Sequence, residues 1–323
     1  MQAPKQLFQL FEDYRKAHAL RHAPDELYEP IRYFLDLGGK RMRPVLTLLG
    51  CDLFSGKTEE ALPAAYAIEL FHNFTLMHDD IMDHASLRRG KQTVHEKYGM
   101  SEAILSGDVM LIYAYAFLNH LDDARLRKAL NLFNATAIRV CEGQQYDMNF
   151  QTAPEVGISE YLTMIEYKTA VLLACSLKLG AIIAQASDED ADNLFEFGKN
   201  MGICFQILDD TLDAFAEKEK FGKKTGGDIA ENKKTYLFLK TMELASGSDK
   251  EQLEFYFGNN IPVEEKVPRV IEIFNKFGIR KLAEEEAKKF HLQALACLGK
   301  VNADEKRKSV LKDYAESLFI RQS

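Results

Sequence analysis

The sequence of 323 residues has few features that would tie it to an oxidising compartment. Its five cysteines are scattered without any CxxC spacing, which favours reduced, buried thiols over a disulfide framework or a zinc site. The N-terminal segment carries charges throughout and has no apolar core before a small-residue cleavage site, so we expect no signal peptide. These features together predict a cytoplasmic protein.

The sequence also lacks an apolar run long enough to cross a bilayer. The longest such run, residues 170–184, is about 15 residues long and contains Lys178, whereas a membrane-spanning helix needs about 20. The net charge of −8 argues against a general nucleic-acid binder. Neither a transmembrane segment nor a nucleic-acid partner is therefore expected.

Proline is sparse, with eight residues in the chain and none between Pro63 and Pro154 or between Pro154 and Pro262. These intervals are free to form long helices, and helical periodicity dominates them. Three stretches are apolar on more than one face, as in helices buried within a bundle: 101–121, 159–185 and 190–213. No breaker-rich segment has the composition of an interdomain linker. We predict an all-α helical bundle and a single domain, residues 1–323.

Aspartate, by contrast, is concentrated in two DDxxD clusters 130 positions apart. On a helix the outer aspartates of such a cluster lie four residues apart and project from one face, so they crowd negative charge together. Hard oxygen ligands of this kind favour magnesium over zinc or copper. The clusters therefore predict sites for magnesium ions bound to a phosphorylated ligand, with these candidate metal ligands: Asp79, Asp80, Asp83, Asp209, Asp210 and Asp213.

A solvated acidic helix face is the alternative interpretation of any single DDxxD. Both clusters lie inside apolar runs, FTLMHDDIM and CFQILDDTL, which disfavours a solvent-exposed face. His72 shares a helical stripe with Asp79 and Asp83, and Gln206 shares one with the second cluster. For His72 a structural and a functional role remain equally open at this point.

Basic residues that suit phosphate oxygens occur in four places: Lys40, Arg41 and Arg43 in GGKRMRP; Arg88 and Arg89 in LRRG; Lys168 in EYKTA; and Lys223, Lys224, Lys233 and Lys234 in FGKKTGGDIAENKKTYL. Each alone is more often a surface charge. The neighbouring glycine pairs would let the backbone approach an anion closely. Neither glycine-containing segment matches GxxxxGK[ST], so a nucleotide-binding P-loop is excluded.

With GGKRMRP, LMHDDIMDHASLRRG, EYKT and FQILDDTLDAFAEKEKFGKKTGGDIAENKKT in this order, the chain resembles the trans-isoprenyl diphosphate synthases, the polyprenyl synthetase family. The resemblance covers residues 38 to about 240. It implies a helical bundle around a deep central cavity, with the two aspartate clusters facing each other at its mouth. It also implies a homodimer and three magnesium ions.

Carried over residue by residue, the resemblance implies that Asp79, Asp83 and Asp209 bind magnesium directly, with the other three aspartates as ligands or support. The residues expected to hold an allylic diphosphate (dimethylallyl, geranyl or farnesyl) are Arg88, Lys168, Thr169, Gln206, Lys223 and Lys233. Those expected to hold isopentenyl diphosphate are Lys40, Arg43, His72 and Arg89. Catalysis is expected to depend most on Asp79, Asp83, Asp209, Lys168 and Arg88.

The implied reaction joins isopentenyl diphosphate to the allylic diphosphate through a 1'-4 bond and releases pyrophosphate. Phe74 and Thr75 lie about 7.5 and 6 Å below Asp79 along a helix and, with Phe71 one turn deeper, would form the floor that limits product length. The motif FTLMHDDIMD resembles the archaeal-type geranylgeranyl synthases, so geranylgeranyl diphosphate is expected first and farnesyl diphosphate second. The alternative for Phe74 is a purely structural core residue.

Three other functions compete with this prediction. A longer-chain polyprenyl diphosphate synthase would use the same motifs over a deeper cavity. A class I terpene cyclase shares one aspartate cluster, but its second metal motif is usually of the NSE/DTE kind, whereas this chain has DDTLD. A non-catalytic subunit that binds prenyl diphosphates should have lost aspartates or diphosphate contacts, and none is missing from the motifs.

Overall fold

The computed structural model describes residues 2–54, 57–215, 226–259 and 261–320. These residues form sixteen α-helices, which are α1 (Pro4–Ala17), α2 (Asp25–Asp36), α3 (Met42–Phe54), α4 (Leu62–Met82), α5 (Val94–Lys97), α6 (Met100–Leu118), α7 (Asp123–Thr152), α8 (Ile158–Ile165), α9 (Val171–Ile183), α10 (Asp188–Phe215), α11 (Gly227–Ala230), α12 (Tyr236–Leu244), α13 (Ser248–Gly258), α14 (Val263–Lys276), α15 (Ile279–Lys300) and α16 (Glu305–Ile320). A 3₁₀ turn, Thr58–Ala61, and a π-helical turn, Glu166–Ala170, complete the helical structure. The prediction of an all-α fold is confirmed.

Contacts divide the chain into two compact units. Unit 1 contains residues 1–133, 176–192 and 302–310, and unit 2 contains residues 134–175, 193–301 and 311–323. Four helices, α7, α9, α10 and α16, contribute residues to both units. The single domain over 1–323 stays a prediction.

Unit 1 is built around α4, which packs against α3 and α6. Pro63 lies in the first turn of α4, where a missing N–H costs nothing, and the proline-free sequence that follows lets the helix continue to Met82. Gly50 on α3 and Gly180 on α9 allow these two helices to approach closely: a Cβ at Gly180 would lie 2.1 Å from the carbonyl oxygen of Thr47. Close packing around α4 fixes the position of the aspartates at its C-terminal end.

A two-residue antiparallel hairpin, β1 (Leu87–Arg88) and β2 (Lys91–Gln92), was not predicted from the sequence. Its strands are too short to show the alternation by which strands are recognised. The turn consists of Arg89 and Gly90, with φ values of 54° and 74°, the left-handed conformation that two-residue hairpin turns require. Both arginines of the hairpin belong to the predicted site. The side chain of Arg88 points to Asp80, whereas that of Arg89 lies next to Gly39.

Unit 2 has a core formed by α8, α10, α12, α13, α14 and α15, in which Tyr161, Ile207, Leu253 and Phe274 are almost completely buried. The sequence predicted one helix over residues 159–185. The structure instead contains α8, the π-helical turn and α9, and the π turn carries Lys168 and Thr169. Such wide turns occur frequently at functional sites because they displace side chains from the regular helical register.

Candidate active site

The first aspartate cluster lies at the C-terminal end of α4. Asp79 is half-buried, Asp80 is buried and Asp83, which follows the last helical residue, is exposed. The N–H of Asp83 donates to the carbonyl of Asp79 at 2.8 Å, which closes the helix. Because the C-terminal end of a helix carries partial negative charge, three carboxylates there create a site that strongly favours a cation.

Asp80 differs from its two neighbours because it is already paired. The Nε atom of Arg88 donates to Oδ1 and Oδ2 of Asp80 at 2.8 Å each, and Nη2 of Arg88 also lies 2.8 Å from Oδ1. This forked pair leaves part of the Arg88 side chain exposed, at 24%, while Asp80 itself is 2% exposed. Asp80 therefore orients Arg88, one of the predicted diphosphate ligands.

The predicted basic residues of unit 1 lie in the loop between α2 and α3, in the first turn of α3 and in the hairpin, and His72 lies on α4. A Cβ on Gly39 would lie 2.9 Å from two nitrogen atoms of the Arg89 guanidinium, so only glycine leaves room for that group. Nη1 of Arg43 lies 3.0 Å from Nε2 of His72. The structure thus brings Arg89 next to the glycine loop and Arg43 next to His72, while Lys40 is exposed in the same loop.

His72 is neutral in this environment. Burial, and then the guanidinium groups of Arg43 and Arg89, hold the pKa of His72 well below its ordinary value. The imidazole therefore accepts a hydrogen bond from Arg43 at Nε2 and keeps its proton on Nδ1. Among the described residues, the Nε atom of Arg43 is buried with no hydrogen-bond partner, which leaves a donor available for a ligand.

Acidification is expected to destabilise the protein through His72. An unfolded histidine takes up a proton below about pH 6.5, whereas the folded His72 does not, so stability falls with decreasing pH by up to about 1.4 kcal/mol per pH unit in this window. Melting temperatures of the wild type and of His72→Gln, measured between pH 7.5 and 5, should diverge as the pH drops, with the wild type losing more. Parallel curves would show that His72 is protonated in the folded protein.

The second aspartate cluster lies on α10 and lines a cavity of about 280 Å³ within unit 2. The predicted residues that line the cavity are Lys168, Thr169, Gln206, Asp209, Asp210, Asp213 and Lys233. Asp213 accepts two backbone hydrogen bonds: its carbonyl accepts the N–H of Gly226 at 2.7 Å, and its Oδ2 accepts the N–H of Asp228 at 2.9 Å. Lys223 and Lys224 lie outside the described residues.

Asp210 is the buried member of the second cluster. It accepts hydrogen bonds from the Tyr161 hydroxyl at 2.6 Å and from Nε2 of Gln206 at 2.9 Å. Burial, and next the negative charge of Asp228, raises the pKa of Asp210 well above its ordinary value. Asp210 therefore orients Gln206 within the cavity, as Asp80 orients Arg88 in unit 1.

Two lysines of the cavity are held by carboxylates. Nζ of Lys168 lies 2.5 Å from Oδ2 of Asp147. Gly143 packs so closely on the π-helical turn that a Cβ at this glycine would lie 2.2 Å from the backbone nitrogen of Lys168. Nζ of Lys233 lies 3.2 Å from Asp228 and 2.9 Å from Glu231. Although burial alone would lower it, these two carboxylates raise the pKa of Lys233 above its ordinary value.

Aromatic rings follow α4 away from its aspartates. Phe74 lies 4.7 Å from the ring of His78 and 5.8 Å from that of Phe71, and Phe71 in turn lies 5.1 Å from Phe133 on α7. Phe71 is 1% exposed, whereas Phe74 is partly exposed. The hydroxyl of Thr75 donates to the carbonyl of His72 at 2.9 Å, which satisfies its polar group within the helix. Two of the three predicted floor residues, Phe74 and Phe71, thus belong to a row of packed rings that continues to Phe133.

Sequence reasoning missed Asp147, Tyr161 and Asp228 of the unit 2 cavity, whereas Lys234, which also lines it, is one of the basic residues named from the sequence. Asp228 follows directly after the glycine pair Gly226–Gly227, a position that could have suggested it. Asp147 and Tyr161 carry no local signal, because each is brought to the cavity by the packing of its helix.

The donor set fits magnesium. In unit 2 five carboxylates line one small cavity, those of Asp147, Asp209, Asp210, Asp213 and Asp228, and burial, followed by the charge of Asp228, raises the pKa of Asp210. Within the parts of the chain that the structure describes, no three histidine, cysteine, aspartate or glutamate side chains form a complete metal site by themselves. Magnesium commonly uses one or two carboxylates and completes its shell with water and phosphate oxygens, so this arrangement suits it.

Comparisons with known proteins agree with the motifs. The chain is 44% identical to the geranylgeranyl diphosphate synthase of Methanosarcina mazei over 222 residues, 68% of each chain. It is 39% identical to that of Sulfolobus acidocaldarius over 282 residues, 86% of this chain and 85% of the other. A crystal structure of a geranylgeranyl pyrophosphate synthase, 41% identical, superimposes with a TM-score of 0.95 and full coverage of both chains. The polyprenyl synthetase family matches residues 24–274, and the chain belongs to this family.

Proposed function

We propose that this protein is a prenyltransferase that condenses isopentenyl diphosphate head-to-tail with an allylic diphosphate to give a short trans-prenyl diphosphate and pyrophosphate. One observation carries the proposal: two different kinds of anion site. Unit 1 has three cations, Lys40, Arg43 and Arg89, that form no ion pair among the described residues, and unit 2 has crowded carboxylates with lysines. Membership of the polyprenyl synthetase family supports the reaction class.

The unpaired cations of unit 1 suit a diphosphate that binds without metal. Among the described residues no carboxylate forms an ion pair with Lys40, Arg43 or Arg89, in contrast to Arg88, which pairs with Asp80. Unpaired guanidinium and ammonium groups next to a neutral His72 form a positive surface with available donors. We assign isopentenyl diphosphate to Lys40, Arg43, His72 and Arg89.

The carboxylates of unit 2 suit a diphosphate that arrives with magnesium. Asp209 and Asp213 would bind the metal, together with Asp79 and Asp83, while Asp80 and Asp210 orient Arg88 and Gln206. We assign the allylic diphosphate to Arg88, Lys168, Thr169, Gln206 and Lys233, and we propose that Lys223 contributes as well. Three bound magnesium ions are part of this proposal.

In the proposed reaction, the C–O bond of the allylic diphosphate breaks and its electron pair leaves with pyrophosphate. Magnesium supplies Lewis-acid stabilisation of that leaving group. Lys168, Lys233 and Arg88 stabilise the same developing negative charge with side chains that Asp147, Asp228 and Asp80 already hold in position. The double bond of isopentenyl diphosphate then forms the new C–C bond to the allylic carbon. A proton leaves the isopentenyl carbon next to the new cation, and pyrophosphate accepts it.

We propose geranylgeranyl diphosphate as the main product and farnesyl diphosphate as the second. Phe74 stands about 7.5 Å below Asp79 along α4, and Phe71 and Phe133 extend the aromatic layer behind it. A layer of rings without polar groups would stop an apolar tail at this depth. Opening the layer would give a longer-chain synthase, the alternative kept open by the sequence.

The reaction is tested with purified protein, magnesium chloride, labelled isopentenyl diphosphate and, separately, dimethylallyl, geranyl and farnesyl diphosphate. Products are dephosphorylated and separated by reversed-phase chromatography. The label should enter geranylgeraniol, and a reaction with EDTA should show none. If no primer gave a labelled prenyl product longer than itself, the result would contradict the proposal and favour a subunit that only binds prenyl diphosphates.

We also propose that the protein is a homodimer formed through α6. This helix exposes Ile104, Leu105 and Ile112, the last at 65%, on one side of unit 1. Among the described residues it is the one helix with the length and composition of a membrane span, and 39% of its apolar window is buried. Asp108 lies on the same face near the middle of the helix, where a bilayer would disfavour a charge, so a second copy is the better partner.

The substitution Ile112→Lys is expected to convert the dimer to a monomer, because a lysine would be buried without a partner at the interface and weaken association at least about 100-fold. Light scattering after gel filtration measures the mass. Leu292→Lys, at an equally exposed position on α15, is the matched control and should stay dimeric. A monomeric wild type, or a dimeric Ile112→Lys, would contradict this interface.

A cytoplasmic location completes the proposal. None of the five cysteines forms a disulfide in the described part of the chain, and Cys51, Cys175 and Cys204 are buried. Buried cysteines that keep their thiols are usual in a reducing compartment.

A further inference from the structure

A cluster of buried charges lies beneath the basic residues of unit 1, and none of its members belongs to the proposed substrate site. Its centre is Arg41, whose side chain is 2% exposed. We propose that Arg41, held by Glu12 and Glu69, is a positioning residue that sets the affinity for isopentenyl diphosphate. This inference rests on the function proposed above, and it assigns a role to the one arginine of GGKRMRP that faces away from solvent.

Arg41 joins three helices through its guanidinium group. Nε donates to Oε1 of Glu12 on α1 at 3.0 Å, and Nη1 donates to Oε1 of Glu69 on α4 at 2.6 Å. Nη2 donates to the carbonyl of Leu35 near the end of α2 at 2.5 Å. A guanidinium presents its donors in a rigid fork, so three partners on three helices define both its position and its orientation.

The partners of Arg41 are fixed in turn. Glu69 is 3% exposed, and its Oε1 also accepts Nδ2 of Asn73, one turn along α4, at 3.0 Å. Glu12 lies 3.0 Å from Nη2 of Arg15, which also pairs with Asp36 at 3.0 Å. The charged groups that hold Arg41 are therefore all paired, as buried charges require.

The backbone at Arg41 shows what this anchoring achieves. Arg41 has φ 47°, a left-handed conformation that costs a residue with a Cβ about 1 kcal/mol or more. Gly38 and Gly39, which precede Lys40 in the same loop, have φ values of 83° and 143°. Nothing in the sequence favours such a conformation for arginine. The three hydrogen bonds of its side chain offset this cost and hold the loop in a conformation that it would otherwise leave.

That loop carries the proposed isopentenyl diphosphate ligands. The carbonyl of Arg41 accepts the N–H of Val45 at 3.2 Å, the first hydrogen bond of α3, so Arg41 fixes where this helix begins. Lys40 precedes Arg41 directly, and Arg43 lies in the first turn of α3, with Nη1 3.0 Å from His72. A change in the position of Arg41 would therefore displace Lys40 and Arg43 together.

Glu69 also acts on the site through its charge. Its carboxylate favours the charged forms of Arg43 and Arg89, although burial lowers the pKa of both groups. Arg41 does not add a fourth free cation, because Glu12 and Glu69 neutralise it. The bound isopentenyl diphosphate would thus interact with the charges of Lys40, Arg43 and Arg89, and the carboxylate of Glu69 provides a counter-charge to these cations.

The test compares steady-state kinetics of the wild type, Arg41→Lys and the double variant Arg41→Met with Glu69→Met. Lysine keeps the charge but loses the fork, and the double variant replaces a buried ion pair by apolar groups of similar volume, which buried cores often tolerate. In both variants KM for isopentenyl diphosphate should rise about 10- to 100-fold, while KM for the allylic primer stays unchanged. Arg15→Met is the matched control, since Arg15 belongs to the same network but not to the loop.

Far-UV circular dichroism and thermal melting establish that each variant is folded before its kinetics are compared. The inference is overturned if both KM values rise equally, or if neither changes while only the melting temperature falls. It is also overturned if Arg15→Met raises KM for isopentenyl diphosphate as much as Arg41→Lys. If the wild type failed to lengthen any allylic primer, the proposed function itself would be refuted. Failure of the inference about Arg41 is therefore distinguishable from failure of the proposed function.

Discussion

Asp209→Ala is expected to reduce kcat by at least about 10²- to 10³-fold, the effect of removing a group that stabilises charge in the transition state. Asp209 is the exposed member of its cluster, whereas Asp210 is buried beneath Tyr161 and Gln206. Its carboxylate lines the same cavity as Lys168 and Lys233. Loss of this group removes a proposed metal ligand and leaves the hydrogen bonds of Asp210 with Tyr161 and Gln206 in place.

The matched control is Asp192→Ala, which removes an exposed aspartate from the same helix. Asp192 pairs with Lys178 at the surface, and such pairs contribute little to stability. A second measurement separates metal binding from folding. Magnesium with pyrophosphate should raise the melting temperature of the wild type and of Asp192→Ala, but not that of Asp209→Ala. Near-normal turnover and a normal thermal shift in Asp209→Ala would refute its role as a metal ligand.

Phe74→Ala is expected to lengthen the product by one or more five-carbon units. Phe74 is partly exposed, and in the described part of the chain its ring packs against those of His78 and Phe71. Its removal opens the first layer of the aromatic floor, while Phe71 and Phe133 remain packed behind it. Chromatography of the dephosphorylated products measures the change directly.

The two phenylalanines should differ in their effects. Phe71→Ala alone removes a fully buried ring, which typically costs about 3–5 kcal/mol of stability, but leaves Phe74 as the floor and the product unchanged. The double variant should give longer products than Phe74→Ala. Phe255→Ala, at an aromatic residue that is 52% exposed, is the control for general effects. An unchanged product in Phe74→Ala would show that Phe74 belongs only to the core.

The reaction class could be read from the sequence because its signal is local. The second DDxxD cluster lies within α10 and the first lies at the C-terminal end of α4, with Asp83 directly after the last helical residue, so spacing alone indicates that the carboxylates of each cluster gather on one side. The all-α fold was equally predictable, since proline-free intervals and helical periodicity describe long helices directly. These properties depend on neighbours in sequence rather than on tertiary packing.

The different environments of the aspartates within each DDxxD cluster were not predictable from the sequence. Asp80 and Asp210 are each the second aspartate of a DDxxD motif, and nothing in the motif distinguishes them from the other two. Both are buried and hydrogen-bonded to a proposed diphosphate-binding residue, Arg88 or Gln206. Only tertiary packing distinguishes them, because Tyr161, which binds Asp210, lies 49 positions away.

Local backbone deviations were missed for a related reason. The π turn at Glu166–Ala170 has the composition of a regular helix, and the hairpin that carries Arg88 has only two residues in each strand. The left-handed conformation of Arg41 has no sequence signal either, since long-range ion pairs impose it. All three deviations occur at proposed ligand-binding segments, where packing overrides local preference.

The central claim is that one diphosphate is bound through metal and the other through cations alone. Isothermal titration calorimetry with isopentenyl diphosphate and with an unreactive thio-analogue of an allylic diphosphate, each with magnesium and with EDTA, tests this most directly. The account predicts that EDTA abolishes binding of the allylic analogue but leaves isopentenyl diphosphate binding, and that Arg43→Ala weakens only the latter. Equal loss of both affinities in EDTA would contradict it.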